Sequence, residues 1–81
     1  MSLQDQVLLY ISKKKSTNYY DLFRKFNDMD NYEERNKNIM NIIHRFVDDK
    51  FIILNKEAGK IPDYCITEAG AKAAKDIIAR E

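Results

Sequence analysis

From Phe51 to Ala74 the chain runs through Phe-Ile-Ile-Leu, a charged turn, a set of alternating residues, and an alanine-rich stretch that opens at Thr67. That order leaves few folds open. Phe51 to Leu54 is too short for a helix and is aromatic and β-branched, so it reads as a strand. Asn55 to Lys60 is the turn, with Gly59 free to take a positive φ. Ile61 to Ile66 returns as a second strand, with Tyr64 and Ile66 on one face and Asp63 and Cys65 on the other. Pro62 lacks an amide donor, which an edge hairpin tolerates. Thr67 caps a last helix that runs to about Arg80, with Ala69, Ala73, Ala74, Ile77 and Ile78 as its apolar stripe. A two-stranded hairpin is marginal alone, so its inward face has to lie on helices from elsewhere in the chain.

Those helices are legible upstream. Ser2 caps a first helix from Leu3 to about Lys14, with Leu3, Val7, Leu8 and Ile11 on one face. Ser16-Thr17-Asn18 breaks it, and Thr17 or Asn18 caps a second helix from about Tyr19 to Phe26. That helix is expected to turn Leu22, Phe23, Phe26 and one of Tyr19 or Tyr20 inward. Turn formers follow and end at Asn31, a good cap. The third helix, about 32 to 50, gathers Tyr32, Ile39, Ile42, Ile43, Phe46 and Val47 on one side. Its other side carries Glu34, Lys37, Asn38, Asn41, His44 and Arg45. Gly70, in the last helix, allows close approach to a neighbour, for which the first helix is the expectation.

Three helices, strand, turn, strand and a closing helix form an α+β chain, mainly α with a small hairpin. This order resembles the winged helix-turn-helix family, and Tyr64-Cys65-Ile66-Thr67-Glu68-Ala69-Gly70 is similar to the signature closing the wing in many small bacterial regulators. One departure is Asp49-Lys50, where such regulators often place a glycine after the third helix. The resemblance implies double-stranded DNA as partner, with the third helix in the major groove and the hairpin on the backbone or minor groove. Carried over by position, Lys37, Asn38, Asn41 and Arg45 face the groove, with His44 at the margin. Asn pairs bidentately with adenine, and Arg or Lys with guanine. Lys56 and Lys60 on the wing, and Ser16, Thr17 and Asn18 at the start of the second helix, are the implied phosphate contacts, helped by Lys14 and Lys15. A regulator of this kind implies a homodimer through the first and last helices, reading two half-sites. Ile77, Ile78, Val7 or Leu8 left uncovered would be its mark.

Each of these residues also has a plainer role. A helix needs some polar face, and hairpin turns often carry lysines. Glu33 and Glu34 would repel phosphates at the head of the third helix. With 14 basic and 13 acidic residues the net charge is +1, less basic than many DNA binders, so the alternative is a winged-helix module that binds another protein.

An enzyme is not expected, because the chain has no glycine-rich phosphate loop, no His-Glu-x-x-His and no nucleophile paired with a base. Cys65 and His44 are too few for a zinc site, no cofactor is implied, and one cysteine excludes an internal disulfide. At 81 residues one domain is expected. A start without a signal sequence and a longest apolar run of only Phe51 to Leu54 imply the cytoplasm and no membrane.

Overall fold

The structure is a computed structural model and describes residues 1–80. Four helices and three short strands follow one another as α1 (Leu3–Lys14), β1 (Ser16–Asn18), α2 (Tyr19–Lys25), α3 (Tyr32–Asp48), β2 (Ile52–Asn55), β3 (Asp63–Ile66) and α4 (Glu68–Arg80). Ser2 caps α1 by accepting the Asp5 amide at 3.2 Å. Asn18 caps α2 through the Asp21 amide at 2.9 Å. Asn31 precedes α3 without a side-chain bond. Its φ of −137° and ψ of 43° are not the extended conformation from which a cap reaches the first-turn amides.

The sheet is antiparallel and three-stranded, in the order β1-β3-β2. Ser16-Thr17-Asn18, expected only as a break between helices, is thus a strand, pairing Ser16 with Cys65, Thr17 with Tyr64 and Asn18 with Asp63. Three residues carry no periodic signal, and the pairing depends on a partner far along the chain. It also makes β3 the central strand rather than one arm of an edge hairpin. Pro62 is accommodated because it lies just before the ladder begins at Asp63.

The core gathers Val7, Leu8 and Ile11 of α1, Leu22 of α2, Ile39, Ile43 and Phe46 of α3, Ile52 of β2, Tyr64 of β3, and Ala74 and Ile77 of α4. Burying a side chain of this size contributes about 1.5–3 kcal/mol. Three expected stripes are narrower than their pattern. Tyr32 and Val47 remain exposed while Ile42 is half-buried, because the centre of the α3 contact is Ile39, Ile43 and Phe46. On α4, Ala69 and Ile78 are exposed, and the buried row is Gly70, Ala74 and Ile77. On α2 only Leu22 is fully buried, with Tyr19 and Phe26 packed beside it and Tyr20 exposed.

Each helix that runs into a strand turns on a lysine of positive φ. Lys15 has φ 69° and Lys50 has φ 62°. Lys50 holds the left-handed position at the end of α3 that a glycine commonly takes at a helix end. The Phe51 amide donates back to the Phe46 carbonyl at 2.9 Å and the Lys50 amide to Val47 at 3.1 Å, the paired bonds of a left-handed helix end. Thr67 binds to this turn. Its amide donates to the Phe51 carbonyl at 3.0 Å, and its hydroxyl lies 2.7 Å from the Lys50 carbonyl and 3.0 Å from that of Phe51. The same hydroxyl accepts the Gly70 amide at 3.0 Å, capping α4. Gly70 is required by contact. A Cβ there would run into the Phe51 carbonyl oxygen and stand 2.7 Å from Ile66 Cδ1. The neighbour that Gly70 approaches is therefore the α3–β2 turn and not α1. Gly59, in the loop between β2 and β3, has the positive φ expected of it, 79°. Among the described residues no helix is long and apolar enough to cross a membrane.

Candidate nucleic-acid interface

Burying Ile39, Ile43 and Phe46 forces the opposite side of α3 outward, so Lys37, Asn38, Asn41, His44 and Arg45 are all exposed. Three of them come together. Asn38, Asn41 and Arg45 line a cleft of about 330 Å³ with Leu3, Gln4 and Ile42, where the start of α1 passes the middle of α3. Arg45 reaches across it, its Nη1 donating to Gln4 Oε1 at 3.4 Å. Among the described residues no carboxylate lines this cleft. Lys37 lies outside it and has no ion-pair partner among the described residues. Nearer the head of α3, Asp28, Asn31, Glu34 and Arg35 border the next depression, which Asn38 and Leu3 share with the cleft, and Arg35 is paired to Asp28 at 3.6 Å.

The residues expected to hold phosphates are placed differently. Lys60 is paired with Glu57 at 3.1 Å, and Glu57 and Asp63 share its small depression. Lys56 is exposed and has no such partner among the described residues. Ser16 is exposed, whereas Thr17 is buried. The Thr17 hydroxyl, the Tyr10 hydroxyl and Lys14 Nζ all donate to Asp21 Oδ2, at 2.5, 2.9 and 3.0 Å. The Asn18 side-chain oxygen is occupied by the Asp21 amide. The Thr17 bond, followed by that from Lys14, holds the Asp21 carboxyl at about 2, below its ordinary 3.8. The Lys14 ammonium is stabilised in turn, chiefly by the same carboxylate, and its pKa is raised.

This node at the α1–β1–α2 junction has no single motif in the sequence. Asp21 is the only signal of it, a carboxylate three residues after the Asn18 cap. The basic run Lys13-Lys14-Lys15 serves three separate ends. Lys14 pairs with Asp21 and lies 5.3 Å from the Tyr10 ring centroid. Lys15 makes the turn into β1, and Lys13 borders a shallow groove between α1 and α4. Val7, Leu8 and Ile77 are buried within the chain, and the groove itself exposes Ile78. Cys65 is half-buried on β3, with its thiol 3.6 Å from the Ser16 hydroxyl. No cluster that could hold a metal ion occurs among the described residues.

Comparison with descriptions of known protein families, with curated proteins and with solved structures found no match for this chain.

Proposed function

We propose that this chain is a winged helix-turn-helix domain that binds double-stranded DNA, as a small transcriptional regulator. The observation that carries the reading is the outward face of α3, where Asn38, Asn41 and Arg45 border one cleft that no carboxylate lines among the described residues, and where Lys37 has no ion-pair partner among them. The order of elements and the Tyr64 to Gly70 signature support it. In this reading α3 enters the major groove, where Asn38 or Asn41 addresses adenine and Arg45 or Lys37 guanine. Each good bidentate pair discriminates by about 1–3 kcal/mol. The loop between β2 and β3 is the wing. Thr17 is buried and bound to Asp21, so the backbone contacts narrow to Lys56, Lys60, Ser16 and the amide nitrogen of Asn18. Two copies would read two half-sites about one helical turn apart.

Fluorescence anisotropy on random-sequence duplex DNA, titrated from low to physiological salt, tests this reading. Binding should weaken steeply with salt. It should be lost in Lys37→Glu/Arg45→Glu and kept in Lys72→Glu/Lys75→Glu, which changes net charge equally on α4. Binding indifferent to the α3 pair would remove the proposed surface, and the near-neutral net charge and the acidic head of α3 would then favour a protein partner.

A further inference from the structure

The strand order leaves β2 at an edge of the sheet, and among the described residues Ile52–Asn55 make no backbone hydrogen bond beyond their ladder with β3. The edge is apolar on both faces. Ile53 is 55% exposed on one face and Leu54 54% exposed on the other. No lysine, proline or bulge interrupts Ile-Ile-Leu-Asn, so of the devices that keep free edges from pairing the strand has only its shortness, four residues. The groove between α1 and α4 differs. It exposes Ile78, and Lys13 and Lys75 flank it, so a self-complementary contact there would gather like charges.

We propose that two copies of this chain associate through antiparallel pairing of their β2 edges, joining the two sheets into one. The complement of an unpaired strand edge is another strand, and a two-fold axis lets one uncharged strand serve as both partners. Side chains alternate between faces, so a two-fold pair can centre only on one residue opposite itself, Ile53 or Leu54. The Thr67 amide donates to the Phe51 carbonyl, so in this ladder the backbone groups of Ile53 and Asn55 face β3 and those of Ile52 and Leu54 face outward. Centring on Ile53 pairs Ile52 with Leu54 of the second copy in both directions within the strand, whereas centring on Leu54 would need Lys56, beyond its end, so the hydrogen-bond pattern selects the Ile53 register. The pairing locates the dimer invoked above but requires no DNA.

Sedimentation velocity of the purified chain without DNA, from low micromolar to millimolar, tests the pairing. A concentration-dependent monomer–dimer equilibrium is expected. Ile53→Lys should weaken it about tenfold or more, and Ile78→Lys should leave it intact. Ile53→Thr, which keeps a β-branched side chain on the strand, provides a second variant if the lysine impairs folding, and it should weaken association in the same direction. A wild-type monomer throughout, growth beyond the dimer, or loss of association only in Ile78→Lys would each overturn the proposal. DNA binding can fail while this equilibrium persists, and the reverse, so the two readings are separable.

Discussion

Two junctions in this chain perform the same task by different physics. At α1–β1 and at α3–β2, a helix ends on a lysine of positive φ and the chain continues as a strand. The first junction is held by polar side chains. Tyr10, Lys14 and Thr17 converge on Asp21, which ties α1 and β1 to α2. The second is held by backbone and steric fit. Thr67 binds the carbonyls of Lys50 and Phe51, and Gly70 lets α4 lie against the same turn. A charged node titrates and answers to salt. A backbone clasp does neither, but it tolerates almost no added volume.

Gly70→Ala should separate the two most sharply. The new methyl meets the Phe51 carbonyl, and backbone cannot rotate aside as a side chain does. A loss of about 3 kcal/mol is expected, read by urea denaturation and unchanged between pH 7 and pH 3. An alanine accommodated without loss would show that the clasp is loose.

Asp21→Ala comes next, with a loss of about 1–2 kcal/mol after allowance for solvent at a partly exposed carboxylate. Its pH dependence is the sharper readout. Because the folded pKa of about 2 lies below the ordinary 3.8, the contribution is complete above about pH 4 and is lost as pH falls toward 2. Wild type and variant should therefore converge in stability across that window. Parallel curves would deny the node its charge.

The smallest effect should be common to both junctions. Lys50→Gly and Lys15→Gly each relieve a left-handed residue, at the cost of a more flexible unfolded chain. A net gain of about 0.5–1 kcal/mol is expected at each site in thermal melts. A gain at Lys50 alone would mean that Lys15, whose carbonyl accepts the Ile66 amide at 2.9 Å, is fixed by more than its own dihedral.

The clasp was far more legible in the sequence than the node. Thr67 and Gly70 stand three residues apart at a helix start, so local spacing is enough to mark a cap and a close contact. The contact itself lay elsewhere than expected, on Phe51 and not on α1, because spacing within a helix does not say which element lies opposite. Asp21 draws on Tyr10, Lys14 and Thr17 from two other elements, and no periodicity connects them. The same distinction runs through the α3 face. Its polar residues can be read from a helical wheel, but the cleft that joins Asn38, Asn41 and Arg45 forms only because Leu3 and Gln4 pack beside them.

The sequence by itself determined the four helices, the two strands on either side of the Gly59 turn, and the principal apolar residues of each element. These follow from periodicity, caps and turn formers, all of which act over a few residues. Tertiary structure alone decided that Ser16–Asn18 becomes a strand, that β3 is central, and that β2 is left at an edge with Ile53 and Leu54 uncovered. A strand's place in a sheet is set by hydrogen bonds to residues distant in the chain, and nothing within three or four residues encodes that partner.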